Sequence, residues 1–178
     1  MIMKRFTAID VCMLGVATAS LTATKFVLSW LANVELVSVL LVYYTLLFKR
    51  ARAFCIANLF VIVECFIYGF GLWVVSYFVH WNCLVVLVSI LGRRGVKKSI
   101  FFALWCASLT FLFGVQTTAL DVIFYSSQTS FFTSFATRYF MGISFFITHI
   151  VSVFVSVLIL LPPLSKIPIL KDGYIVSY

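Results

Sequence analysis

The sequence predicts an all-α membrane protein with six transmembrane helices and both termini in the cytoplasm. Of its 178 residues, 64% are hydrophobic and only 10% are charged, whereas soluble domains carry roughly 25% charged residues. Lipid is therefore the solvent for most of this surface. Eleven of the 13 Lys and Arg residues fall on one side of a membrane that the chain crosses six times. Because positive residues concentrate on the cytoplasmic side, that side is predicted to be the cytoplasm. The clusters are Lys4 and Arg5; Lys49, Arg50 and Arg52; Arg93, Arg94, Lys97 and Lys98; Lys166 and Lys171.

Six apolar runs between these clusters predict the helices, and we expect one compact domain, 1–178, with a short cytoplasmic tail. The second and third runs are near the lower limit of the roughly 20 residues that cross a bilayer. Glycines 69 and 71 break the chain after the third run, and Pro162-Pro163 ends the last. The predicted helices span residues 7–31, 35–48, 53–68, 72–91, 99–120 and 139–161.

The first apolar run is predicted to be a retained helix and not a cleaved signal peptide. Asp10 interrupts its apolar region, and the run continues past the A-x-A pattern at Ala17–Ala19. With the N-terminus inside, residues 31–34, 69–71 and 121–138 lie on the outer side. The last segment is rich in Ser, Thr and Phe. It either caps a ligand site or rests on lipid headgroups, where aromatic residues are favoured.

No catalytic or cofactor motif stands in the sequence, which argues against an enzyme. GxxxxGK[ST], HExxH and GxSxG are absent, and the five cysteines form no CxxC pair. Glu64 lies well inside the third predicted helix. An ionisable group at membrane depth is costly, so Glu64 is a candidate functional residue. His80 and His149 are candidate partners for it, either as a pair that fixes helix packing or as part of an intramembrane active site.

Small residues recur every four positions on the first predicted helix. Gly15, Ala19 and Ala23 lie on one stripe, and such stripes let helices approach closely in lipid. The stripe predicts either packing inside this protein or a docking face for another membrane subunit.

A set of polar and aromatic residues is predicted near the outer ends of the helices. Aromatic walls with a few polar groups are typical of a small-molecule pocket; the alternative for each ring is the interfacial aromatic belt. Lys25 and Arg138 are the two positive residues outside the clusters, and each either holds an anionic group of a ligand or reaches the headgroups. The candidate substrate-binding residues are Lys25, Asn33, Glu35, Tyr68, Trp73, Tyr77, His80, Trp81, Asn82, Gln116, Arg138 and Tyr139.

In overall plan the chain resembles the substrate-binding S component of energy-coupling factor (ECF) transporters. The resemblance covers nearly the whole chain and rests on the small-residue stripe, the stretch Asn33-Val34-Glu35-Leu36-Val37, and the turn Gly69-Phe70-Gly71-Leu72-Trp73 with Tyr77 and Trp81 beyond it. Glycine in place of alanine at position 15, and Asp10 near the start of the helix, depart from the usual pattern.

The resemblance implies a vitamin importer in the plasma membrane of a prokaryote. The S component would capture a vitamin at the outer face, and its stripe would dock on a transmembrane T component driven by two cytoplasmic ATPases. It would then topple in the membrane to release the vitamin. No cofactor is implied. A scaffold subunit without a ligand and an intramembrane enzyme that uses Glu64 are the alternatives. The substrate stays open between a flat ring and a carboxylate.

Overall fold

The computed structural model describes residues 7–48, 50–96, 99–125, 130–164 and 166, and these residues are helical apart from short connections. Five of the helices are long and apolar enough to cross a membrane. This confirms the prediction of an all-α, multi-pass membrane protein. The helices are α1 (Ala8–Leu28), α2 (Val37–Leu47), α3 (Arg50–Tyr68), α4 (Trp73–Val96), α5 (Ser99–Tyr125), α6 (Phe131–Met141) and α7 (Ile143–Leu164).

Two ion pairs fix α1 and α3 as parallel neighbours. Near the start of both helices, Arg52 lies 2.8 Å from Asp10, and near their ends Lys25 contacts Glu64. Asp10 also completes a capping box, because its carboxylate accepts the Thr7 N–H at 3.0 Å while its own N–H donates to the Thr7 hydroxyl. We call the two ends of the bundle the Asp10 end and the Lys25 end.

Helix α2 must return the chain from the Lys25 end to the Asp10 end, and it is too short to do so alone. Its 11 residues cover about 16 Å, whereas the 15-residue separation of Asp10 and Lys25 on α1 covers about 22 Å. Residues 29–36 make up the difference as a non-helical segment, of which 29–33 are exposed and 34–36 are half-buried against the bundle. Nine residues of α2 are buried, and the helix contacts α1, α3, α4 and α7. It is therefore the interior element around which the others stand.

The α3–α4 hairpin turns at Gly69, whose φ of 79° is the left-handed conformation that glycine adopts without strain. Halfway along the hairpin, the side-chain amides of Asn58 and Asn82 donate to each other at 3.2 and 3.0 Å. Each amide also donates to a carbonyl of its own helix at 2.7 Å. The pair satisfies two polar groups that would otherwise face lipid or core.

Helices α5 and α7 pack closely because α5 carries Gly114 at the crossing. A Cβ there would lie 3.0 Å from the ring of Phe146. Among the described elements, α5 and α7 are the two helices with which α6 makes several contacts. Its rings stack in sequence, Phe131 on Phe135 on Tyr139, and the last of these stacks on Phe146 with centroids 5.0 Å apart.

Several predicted boundaries were wrong. The first helix ends at Leu28, three residues early, because the chain leaves the helix in a turn there. The fifth extends to Tyr125, and the sixth is two helices, α6 and α7, separated at Gly142. Helix α7 also continues through Pro162 and Pro163 to Leu164. Of the predicted outer segment 121–138, the described parts are the end of α5 and most of α6. Residues 126–129 lie outside the described range.

Most of the basic clusters also lie outside the described residues, including Lys4, Arg5, Lys97, Lys98 and Lys171. The orientation that they predict stays a prediction. Likewise, six crossings require α2 to count as one of them, and α2 is shorter than the five candidate spans.

The asparagine pair generates a prediction for the fold. Asn58→Leu and Asn82→Leu should each lower the free energy of unfolding by about 1 kcal/mol, since inter-helix hydrogen bonds in membranes contribute up to about 1.7 kcal/mol. The double variant should lose little more than either single one. Unfolding in mixed micelles with increasing dodecyl sulfate fraction measures this, and strictly additive losses would contradict a direct pair.

Candidate functional site

A cavity of about 310 Å³ lies inside the Lys25 end of the bundle. Its wall is formed by the end of α1, segment 29–36, the end of α3, and one face each of α4, α5 and α7. Tyr77, His80 and Trp81 of α4 share one helical face because they are spaced three and four residues apart. The lining residues are Lys25, Leu28, Ser29, Leu31, Ala32, Asn33, Val34, Glu35, Val37, Tyr68, Tyr77, His80, Trp81, Phe113 and His149.

Lys25 reaches inward from α1 and pairs with the carboxylate of Glu64 on α3. Glu64 is completely buried, whereas the Lys25 side chain is 26% exposed. A carboxylate without a counter-charge at this depth would be very costly, and Lys25 supplies that counter-charge. The expectation that a histidine is the partner of Glu64 was wrong, since the residue that contacts it is Lys25.

Aromatic rings surround the Lys25 ammonium. Its nitrogen lies 4.7 Å from the centroid of Tyr68, 4.8 Å from that of Tyr77 and 5.7 Å from that of Trp73. Cation–π attraction at such distances is stronger where water is excluded. The rings therefore hold the ammonium in the bundle and oppose its reaching the headgroups.

A second acidic residue, Glu35, connects segment 29–36 to α7. Its carboxylate lies 3.4 Å from His149 Nε2, and it accepts hydrogen bonds from the Ser38 hydroxyl at 2.6 Å and the Ser38 N–H at 3.2 Å. Burial acts to raise the pKa of Glu35, but His149 and Ser38 together hold that pKa below its usual value.

The backbone of Glu35 is satisfied by a single serine of α7. The Ser152 hydroxyl accepts the Glu35 N–H at 2.9 Å and donates to the Glu35 carbonyl at 3.1 Å. Nearby, Asn33 adopts a φ of 58°, a left-handed conformation that asparagine tolerates better than most residues. Non-helical backbone inside a membrane protein needs such partners, and here they fix residues 33–36 against the cavity.

Two buried side chains at the cavity have polar atoms without a partner in the described part of the protein. These are the imidazole Nε2 of His80 and the indole Nε1 of Trp81, and both residues are only 4% exposed. Their rings lie against each other with centroids 4.6 Å apart. A buried donor without an acceptor is expensive. Each of the two atoms exposes less than 1 Å², so they lie behind the cavity wall and do not open onto the cavity.

The structure brings seven of the twelve predicted substrate-binding residues to this cavity. Trp73 lies just outside its lining and packs edge-on against Tyr77, with centroids 5.0 Å apart. The seven at the cavity are Lys25, Asn33, Glu35, Tyr68, Tyr77, His80 and Trp81.

The remaining four lie elsewhere. Asn82 belongs to the amide pair with Asn58, and Gln116 lies about one turn beyond Phe113 on α5 without lining the cavity. Arg138 is 40% exposed and lies 3.7 Å from Asp121, and Tyr139 stacks in the row of rings on α6. Within the described residues, α6 does not line the cavity; segment 29–36 does.

The sequence analysis did not predict His149 and Phe113 as site residues. His149 was considered only as a partner for Glu64, and Phe113 was not considered at all. His149 lines the cavity because α7 places it opposite Phe113, with ring centroids 5.7 Å apart. The apolar residues of segment 29–36 were predicted to belong to a helix and an outer turn. They line the cavity because α2 is short and begins only at Val37.

The small-residue stripe lies on the outside of α1. Gly15, Ala19 and Ala23 are all exposed, while the residues that α1 buries are Leu14, Ala17, Thr18 and Leu21. The stripe therefore leaves a surface of α1 open among the described helices.

The described residues hold no cluster of three or more His, Cys, Asp or Glu side chains that could bind a metal ion. No protein family model, curated protein or solved structure matches this chain. The arrangement of its own residues is the ground for a functional proposal.

The ion pair generates a prediction with an asymmetric outcome. Lys25→Met leaves Glu64 buried without a counter-charge and should destabilise the protein by about 3 kcal/mol or more, as broken buried pairs do. Glu64→Gln should cost less, because the Lys25 ammonium is partly exposed and keeps its contacts with the rings of Tyr68 and Tyr77. The double variant should be more stable than Lys25→Met alone.

Unfolding in mixed micelles measures all three variants under the same conditions. Equal losses for the two single variants, or a double variant that is as unstable as Lys25→Met, would contradict the direct pairing.

Proposed function

We propose that this chain is the substrate-binding S component of an ECF-type importer, which captures a vitamin or a related micronutrient at the outer face of a prokaryotic plasma membrane. The observation that carries the proposal is the cavity at the Lys25 end. It combines aromatic walls with a few polar and charged side chains, which is the make-up of a small-molecule site. A scaffold subunit has no need of such a cavity.

The charge pattern supports placing this cavity on the outer side. The predicted orientation puts the start of α1 in the cytoplasm, since positive residues collect there. Lys25, near the end of α1, then faces the opposite side, and α2 is taken as the second of six crossings. A ligand would reach the cavity from outside, next to segment 29–36.

The exposed stripe on α1 supports a partner in the membrane. Small residues let the backbones of two helices approach, and association in lipid depends on such packing. Gly15, Ala19 and Ala23 are exposed on α1. We propose that a T component docks here, and that two cytoplasmic ATPases attached to it provide the energy for transport.

Replacing Ala19 and Ala23 together with Trp should abolish complex formation and leave ligand binding intact. Bulky rings would separate the two helices, while the cavity lies at the other face of α1. Affinity purification in mild detergent, followed by mass spectrometry of the co-purifying subunits, measures the complex. Ala136→Trp on α6 is the matched control, because Ala136 is exposed and outside the stripe; it should keep the complex.

Co-purification of neither a T component nor ATPases with the unmodified chain would overturn the proposed transporter. Loss of ligand binding together with the complex in the Ala19 and Ala23 variant would contradict the assignment of the stripe as a docking face.

The predicted orientation is tested separately by cysteine labelling in intact cells. In a chain whose five cysteines are replaced, Phe70→Cys should react with a membrane-impermeant maleimide from outside. Lys166→Cys should react only after permeabilisation. Both positions are exposed, so a reversed pattern would place the cavity on the cytoplasmic side and exclude capture from outside.

A further inference from the structure

The cavity offers no free positive charge among its described lining residues. Lys25 is the one Lys or Arg in the lining, and its ammonium is already neutralised by Glu64. Arg138, the other positive residue outside the clusters, lies near Asp121 and away from the cavity. An anionic ligand would have to compete with Glu64 for Lys25, and this would leave a fully buried carboxylate without a counter-charge.

The remaining charge in the wall is negative or balanced. Glu35 adds a carboxylate, and its neighbour His149 balances that charge only when the imidazole is protonated. With His80 neutral and the Lys25–Glu64 pair counted as zero, the lining carries a formal charge of zero with His149 protonated and of −1 with His149 neutral. Neither state favours a carboxylate on the ligand.

The shape and size of the cavity favour a flat ring. Its volume of about 310 Å³ lies at the low end of the range for small-molecule sites. Aromatic rings of Tyr68, Tyr77, Trp81 and Phe113 provide much of the wall, and Tyr77 stands nearly perpendicular to Trp81, at 81°. Such walls stack or pack edge-on against a planar ligand.

We infer that the cavity binds a small compound with a planar ring and without negative charge. This inference rests on the proposed function and narrows its substrate to uncharged or cationic rings. It sets aside carboxylate vitamins and those with large ring systems.

Matched ligand pairs that differ in charge test the inference on the full-length chain in detergent. The pairs are nicotinamide with nicotinate, pyridoxine with 4-pyridoxate, and uracil with orotate, measured by isothermal titration calorimetry and thermal shift. At least one uncharged member should bind, and its carboxylate counterpart should bind about tenfold or more weakly. Small molecules released from the purified protein by denaturation are identified in parallel by mass spectrometry.

The outcomes separate the inference from the proposed function. Equal or tighter binding of the carboxylate members, or release of an anionic compound from the purified protein, would overturn the inference while the importer proposal stands. Absence of any binding and of any released compound would overturn both, even if the chain co-purifies with membrane partners.

Discussion

The ion pair between Lys25 and Glu64 is the interaction on which the rest of the structure depends. It lies where α1 and α3 finish, and it sets the register of these parallel helices together with Arg52 and Asp10 at their starts. Once α1 and α3 run in parallel, α2 must run back against both of them, and its shortness leaves residues 29–36 as a non-helical segment beside the cavity. The cavity thus follows from the placement of one buried charge and its counter-charge.

The same pair determines the character of the cavity. An ionised glutamate at membrane depth needs a cation, and the cation here is supplied by the chain. The rings that hold the Lys25 ammonium, Tyr68 and Tyr77, are also wall residues. Packing of the bundle and the chemistry of the cavity therefore use the same side chains, so few substitutions at this end would affect one without the other.

Much of the fold could be predicted from the sequence, because apolar runs of about 20 residues have few solutions in lipid. Helix ends were less predictable, since the apolar pattern continues through the turns at Leu28 and Gly142. Seven cavity residues were found because aromatic and polar groups cluster near helix ends. The pairing of Lys25 with Glu64 could not be predicted, since the residues are 39 positions apart and meet only through the register of α1 and α3. Arg138 and Tyr139 were misplaced relative to the cavity because α6 was not recognised as a separate helix.

The non-helical segment 29–36 has an evolutionary consequence. Its hold on the bundle depends on a few contacts, chiefly Glu35 with Ser152 and His149, while the helices pack through other residues. Mutations at positions such as Leu31, Ala32 and Val34 can reshape the cavity without disturbing the bundle. A lineage could therefore change what this cavity accepts by drift in a single short stretch, and relatives with nearly the same helices would differ most at these positions.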